Sequence, residues 1–217
     1  MIELDFAVRG VEIAPHSATP LLLFKLHVAN RTPAVPVEHV SLQTQLRIEA
    51  ARREYDEQDR ERLVELFGGA VDWERNLRAL LWANAGAAIP PFDAECTVDL
   101  SVPCSSDFTI AATKYFNGLE GGEAPLLFLF SGTVFHRDAE GDLQISQIAH
   151  DKEAACRMPV TIWHRLMERY YGNSVWLSVD RDLFEAIHRY KRQNGIATID
   201  DALRRLVAAQ LPAEVPS

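Results

Sequence analysis

Hydrophobic and polar residues alternate along much of the chain before residue 150, with the period of two that is typical of a half-buried β-strand. The longest alternating segment covers residues 37–50, where Gln43, Gln45 and Arg47 lie between apolar positions. A slip of one residue would exchange the two faces of this strand. We therefore predict that its apolar face lies in a core and that its polar face meets solvent or a second layer. The residues predicted to face the core are Val40, Leu42, Leu46 and Ile48.

Shorter segments of the same period, separated by turn residues, predict about eight strands in all. The other predicted strands include residues 4–13, 21–29, 96–100, 108–112, 126–135 and 142–148. The most apolar segments, 21–28 and 126–135, are predicted to form the core. Residues 56–67 predict a short surface helix, residues 72–82 fit either a helix or a strand, and the small residues 83–91 predict a loop. This pattern favours an antiparallel β-sandwich or an open barrel.

The periodicity becomes helical after residue 158. Pro159 suits a first helical turn, and apolar residues then recur at helical spacing until Gly172. A short strand is predicted at residues 175–179, followed by two helices whose N-caps are Asp180 and Thr198. The predicted class is α+β, mainly β. Its predicted parts are a sandwich domain at 1–157 with a short helical insertion near 56–82, a C-terminal helical subdomain at 158–211 and a flexible tail at 212–217.

Composition narrows the choice of partner. The chain has 217 residues, 22 Lys and Arg against 31 Asp and Glu, and a formal net charge of −9. An acidic balance argues against broad nucleic-acid binding, which requires clustered cations. The longest apolar run, residues 125–130, is far shorter than a membrane-spanning helix, and the first residues do not have the basic and apolar segments of a secretory signal. We therefore expect a cytoplasmic protein without a membrane partner.

Cysteine and histidine usage indicates neither a disulfide framework nor a metal site. Cys96, Cys104 and Cys156 form no CxxC motif, and we expect reduced thiols. A disulfide between Cys96 and Cys104 is the alternative if two strands bring them together. The seven histidines lack the spacing of metal ligands, so we expect surface or turn histidines. The only group that could form a metal site, if two strands pair there, consists of His136, His150, Asp138 and Asp151.

The sequence contains no recognisable nucleophile motif or phosphate-binding loop. Ser131 lies within a predicted strand, without the strand-to-helix turn of a nucleophile elbow, and Cys104 has no identifiable base nearby. The glycine-rich residues 118–123 lead into a strand and carry two carboxylates, which is typical of a hairpin loop rather than a phosphate site. We predict no catalytic, cofactor-binding or metal-ligating residue, and we expect a non-catalytic protein without a cofactor.

The C-terminal segment resembles the ribbon-helix-helix DNA-binding module in its order of strand, capped helix, glycine and capped helix. In that module the outward side chains of the strand contact bases, but residues 175–179 include no Arg, Lys, Asn or Gln. Residues 180–205 carry six Lys and Arg against five acids, so their charge is nearly balanced. We therefore prefer a helix pair packed on the edge of the sandwich. A DNA-binding regulator that uses residues 175–210 is the alternative.

Four aromatic side chains of the C-terminal third are candidates for an interaction surface. They belong either to the seam between the two subdomains or to a surface for a partner, and the seam is the preferred interpretation because large aromatics at helical spacing usually pack inward. These residues are Trp163, Tyr170, Tyr171 and Trp176.

Several segments together resemble an uncharacterised bacterial family, a domain of unknown function whose members are often encoded near nickel–iron hydrogenase genes. The resemblance rests on residues 40–49, 65–68, 102–104, 112–115, 125–135 and 158–160. It implies an accessory role in hydrogenase maturation or assembly, and it implies no particular site residue. We therefore predict a non-catalytic interaction or assembly protein whose partner is another protein, with a hydrogenase component as a candidate.

Overall fold

The alternating segments of the chain form two antiparallel sheets. The computed structural model describes residues 2–104, 110–138, 140–172 and 179–210. The strands are β1 (Leu4–Ile13), β2 (Leu21–Asn30), β3 (Val37–Ile48), β4 (Leu80–Ile89), β5 (Glu95–Pro103), β6 (Glu123–Arg137), β7 (Leu143–Gln147) and β8 (Glu153–Pro159). The helices are α1 (Glu57–Arg62), α2 (Val64–Phe67), α3 (Trp73–Asn76), α4 (Ile110–Gly118), α5 (Val160–Tyr171), α6 (Arg181–Gln193) and α7 (Ile199–Ala208).

One sheet has the order β1-β2-β5, and the other has the order β4-β3-β6-β7, with β8 also paired to β6. The long strand β6 pairs with β8 along its first half and with β7 along its second half. Gly132 lies between these two halves with a φ of +142°, and a Cβ there would meet the carbonyl oxygen of Ser41. The predicted mainly-β α+β class with a sandwich of antiparallel sheets is confirmed, and the described strands form no closed barrel.

The core lies between the inner faces of the two sheets. Alternate residues of β2, from Leu22 to Val28, are fully buried, as predicted for this segment. In β3 the residues predicted to face the core are all buried, whereas Gln43 and Arg47 are exposed. Strand β6 contributes Phe128, whose ring meets that of Phe24 edge-on at 5.1 Å between centroids. The hydrophobic period therefore determined which face of each strand lies in the core.

Two predicted elements are wrong. Residues 83–91, predicted as a loop, belong mostly to β4, which pairs with β3 and buries Trp82 and Ile89. Ala and Gly have low strand propensity, but pairing with a neighbouring strand outweighs it. The strand predicted at 108–112 is also wrong from Ile110 onward, where α4 begins and buries Tyr115 and Phe116 on one helical face. Residues 105–109 lie outside the described part.

The helices between β3 and β4 are short and lie where the insertion was predicted. Asp56 caps α1 by accepting a hydrogen bond from the Asp59 amide at 2.7 Å, and α2 follows directly. The ambiguous segment 72–82 contains both predicted states, because α3 precedes the first residues of β4. Strand β8 was not predicted, since its seven residues mix charged and small side chains.

The chain divides into two compact units, Met1–Ser174 and Val175–Ser217. Helix α5 lies in the first unit, where Ile162 and Leu166 join the sandwich core, whereas the sequence placed it in the C-terminal subdomain that begins at 158. It ends at Gly172, whose φ of +55° suits a glycine. In the second unit, Asp180 and Thr198 cap α6 and α7 as predicted. Most of the strand predicted at 175–179 and the tail at 212–217 lie outside the described residues.

Candidate interaction surfaces

Trp163, the first of the four predicted interface aromatics, is a core residue of the first unit. Its side chain is 1% exposed, and its indole stacks on Phe116 with 4.7 Å between ring centroids. The indole Nε1 donates a hydrogen bond to the Asn117 side chain at 2.8 Å. Trp163 therefore attaches α5 to α4 and to the sandwich, and it offers no accessible surface.

The other three predicted aromatics occupy different environments. Tyr170 is half-buried and donates its hydroxyl hydrogen bond to the carbonyl oxygen of Ser17 at 2.8 Å, which ties α5 to the turn between β1 and β2. Tyr171 is partly exposed at the end of α5. Trp176 lies outside the described residues. The structure thus brings Trp163 and Tyr170 to the contact between α5 and the sandwich.

A buried polar network joins the helical insertion to the sandwich. Arg53 forms an ion pair with Asp59 at 3.1 Å, and both side chains are nearly buried, at 11% and 7% exposure. The same guanidinium donates to the carbonyl oxygens of Gly121 and Glu123. Because these partners all come from within the chain, the network is an internal anchor. Sequence reasoning missed it, since the charged run around Arg53 is typical of a solvated surface.

A tyrosine pair lies beside this network. The hydroxyls of Tyr55 and Tyr115 are 2.9 Å apart, and Tyr55 also donates to the carbonyl oxygen of Ala50. Burial raises the pKa of both phenols above their usual value, and the neighbouring phenol raises that of Tyr55 further. Both groups therefore stay protonated and act as hydrogen-bonding residues of the core.

The three cysteines are free thiols in the structure. Cys96 lies in β5 and Cys104 follows its end, so the eight residue-to-residue steps from one to the other span about 26 Å of extended chain and rule out the alternative disulfide. Burial raises the pKa of Cys104 to about 12, which is opposite to the change that activates a nucleophilic thiol.

The histidine group considered as a metal site is dispersed in the fold. His136 Nε2 lies 2.9 Å from the Ser146 hydroxyl across the β6–β7 pair, and His150 is exposed. Within the described ranges, no three His, Cys, Asp or Glu side chains come together as metal ligands.

A depression of about 580 Å³ lies over the outer faces of β1 and β2 in the first unit. Ala7 and Ala29 line it together with charged side chains of both signs. Lys152 reaches Asp5 at 3.0 Å, and Arg31 also pairs with Asp5, so these two cations lower the pKa of that carboxyl. Arg31 and Lys152 are thus paired with acids, and the lining as a whole carries charges of both signs.

The helix pair of the second unit carries exposed apolar side chains on both of its helices. Between residues 179 and 210, its buried residues are Ile187, Ile196 and Ala202. Beyond them the apolar stripe continues into solvent on both helices, where the large side chains are 37% to 54% exposed. These residues, hereafter the helical apolar surface, are Leu183, Phe184, Leu206 and Val207. In the first unit, exposed residues such as Val71 and Ile110 lie singly in sequence, whereas Leu143 and Ile145 are both exposed on the edge strand β7.

The model of a family described as a family of unknown function (DUF6084) matches residues 1–214. The match includes both units, so α6 and α7 are part of the region that the family model covers. No curated protein matches the chain. In the described part of the chain, the helices fall short of the length and apolar character needed to cross a bilayer.

Proposed function

We propose that this chain, which belongs to the DUF6084 family of unknown function, is a non-catalytic cytoplasmic interaction or assembly protein that binds another protein through α6 and α7. The observation that carries the proposal is the helical apolar surface, in which four large side chains remain exposed on two short helices. Large apolar residues concentrated on one element mark protein contacts, whereas single exposed ones are ordinary.

The size of the helix pair supports this function. The second unit is the short segment Val175–Ser217, and the hydrophobic cluster of its described part has only Ile187, Ile196 and Ala202 as buried residues. A core of this size contributes little to stability. Both helices are nevertheless well formed, with side-chain caps at Asp180 and Thr198. A helix pair with good local structure and a sparse core would gain stability when a partner covers its apolar surface.

The charges around the surface suggest the chemistry of the partner. Acids lie beside Leu183 at the start of α6, and Arg204 and Arg205 lie beside Leu206 near the end of α7. A partner that offers an apolar ridge or groove bordered by charges of both signs would match this pattern. The family resemblance suggests a hydrogenase component as the first partner to test.

The experiment is affinity capture from native cells, followed by a binding measurement with the purified partner. The wild-type chain is compared with the double variant Leu183→Asp/Phe184→Asp. Val71→Asp is the matched control, because Val71 is 96% exposed in the first unit. The proposal expects at least a tenfold loss of affinity for the double variant and wild-type affinity for the control. Equal affinity for all three proteins would contradict it.

A DNA-binding regulator is the second candidate, favoured by the two capped helices that the ribbon-helix-helix resemblance implied. The six cations of residues 180–205 are nearly balanced by five acids, so this segment attracts a duplex only weakly. Two of the six already have a partner: Lys191 donates to the Ala197 carbonyl oxygen at 2.9 Å, and Arg204 pairs with Asp200 at 2.8 Å. We therefore expect no specific binding to the upstream DNA of its own gene at physiological salt in a gel-shift assay. A complex that survives this salt and is lost in Arg181→Glu/Lys191→Glu would favour the regulator.

A further inference from the structure

The outer edge of β7 combines exposed apolar side chains with main-chain groups that point away from the sheet. Ile148 donates its amide to Gly132 of β6, and Asp142 accepts from Asp138, so the even-numbered residues of this segment direct their main-chain groups toward β6. In a strand the intervening residues direct theirs to the opposite side. The N–H and C=O groups of Leu143, Ile145 and Gln147 therefore point outward.

This edge differs from the other sheet edges of the first unit. Strand β4 lies alongside β5, and β1 lies alongside β8, so those edges face one another. Among the described strands, β7 pairs with β6 alone. Proteins usually protect a free edge with Lys, Pro or a bulge, but residues 143–147 read Leu-Gln-Ile-Ser-Gln and contain no charge and no proline. Leu143 and Ile145 are 56% and 63% exposed.

We infer that β7 pairs with β7 of a second copy of this chain, in antiparallel register about Ile145. In this register Ile145 lies beside Ile145 of the second copy, and Leu143 lies beside Gln147 of the second copy. The outward main-chain groups then form about six hydrogen bonds between the two copies. The five residues are complementary to themselves, since no charged side chain of either strand meets a like charge.

The surrounding charges are compatible with a second copy. The acids of the β6–β7 hairpin, among them Asp138 and Asp142, lie on one side of Ile145, so the antiparallel register carries the two hairpins to opposite ends of the paired strands. Each copy carries a formal net charge of −9, which opposes association at low salt. A pair of five-residue strands also buries less area than a stable interface, so we expect a dissociation constant on the order of 100 µM. The dimer should therefore be concentration-dependent and strengthened by salt.

Sedimentation equilibrium of the full chain, from low micromolar to millimolar concentration, tests the inference. Wild type should change from monomer to dimer, and Ile145→Lys and Ile145→Glu should each stay monomeric, because like charges meet at the two-fold axis. An equimolar mixture of the two variants should recover dimers, since opposite charges then meet. Leu81→Lys is the matched control, because Leu81 is 49% exposed on β4 and should not affect dimerisation.

Amide hydrogen exchange at low and high concentration locates the interface independently. The amides of Ile145 and Gln147 should become protected as concentration rises, while those of Gln144 and Ser146, which face β6, should not change. A wild type that stays monomeric, or a dimer retained in both Ile145 variants, would overturn the inference. A dimer that is lost in Leu183→Asp/Phe184→Asp but kept in Ile145→Lys would assign the second copy to the helical apolar surface instead.

Discussion

The two units of this protein differ in how completely each one buries its own apolar residues. In the first unit the inner faces of two sheets meet, and residues such as Phe24 and Leu46 are fully buried. In the described part of the second unit, α6 and α7 form a single layer, whose hydrophobic cluster buries three residues and whose helical apolar surface exposes four. Two facing sheets can cover each other, whereas two short helices have one apolar face each and need a further layer. The second unit is therefore where we expect a different protein to bind, whereas the β7 edge of the first unit is where we expect a second copy of the chain.

The largest test of this comparison is a buried charge in the first unit. Leu46→Asp should lower the free energy of unfolding by about 4 kcal/mol or more, because it places an unpaired carboxylate in the core. Gln43→Asp on the exposed face of the same strand should cost under about 0.5 kcal/mol. Urea unfolding measures both. Equal losses of unfolding free energy in the two variants would contradict the assignment of one face of β3 to the core and the other to solvent.

The next test concerns the internal ion pair of the first unit. Arg53→Met should cost about 3 kcal/mol, because it leaves Asp59 buried without its cation and frees two carbonyl oxygens. Arg52→Met is the control, since Arg52 is 64% exposed and its ion pair with Glu49 is at the surface. Thermal and urea unfolding of the two variants should differ clearly. If the two variants were equally stable, the internal anchor would be unimportant.

The comparison also predicts different local stabilities in the isolated chain. The free energy of opening that exposes the amides of α6 and α7 to solvent should be at least about 2 kcal/mol lower than the one that exposes the amides of β3. The reason is that few buried contacts hold the two helices. Native-state hydrogen exchange at several urea concentrations measures both sets. Binding of a partner to the helical apolar surface should reduce this difference. Identical opening free energies without a partner would show that the second unit is stable alone.

The smallest expected effect concerns the charged depression on β1 and β2. The folded-state pKa of Asp5 is lowered by Arg31 and Lys152, so its ionised form stabilises the fold above the unfolded pKa, and this contribution is lost as pH falls through the folded pKa. Asp5→Asn should cost about 0.5 kcal/mol at pH 7, since the pair is partly exposed, and nothing at pH values well below the folded pKa. Asp151→Asn, an exposed acid of the same depression, is the control for unfolding measured across this range.

The sequence by itself determined the elements whose signal is local. The alternation from Val40 to Ile48 specified a strand and its buried face, because a shift of one residue would place every apolar side chain in water. Asp180 and Thr198 specified where α6 and α7 begin, since their side chains satisfy amides that the helix leaves free. The near balance of positive and negative charges in residues 180–205 also follows from the sequence alone.

Only the tertiary structure decided the features that depend on distant neighbours. Residues 83–91 became a strand because β3 offered a pairing edge, and Trp163 became a core residue because α4 lies against it. Arg53 is buried because carbonyl oxygens some seventy residues away receive its hydrogen bonds. The free edge of β7 likewise depends on which strands stand beside it. Burial and pairing are properties of the assembled neighbours, and no local pattern encodes them.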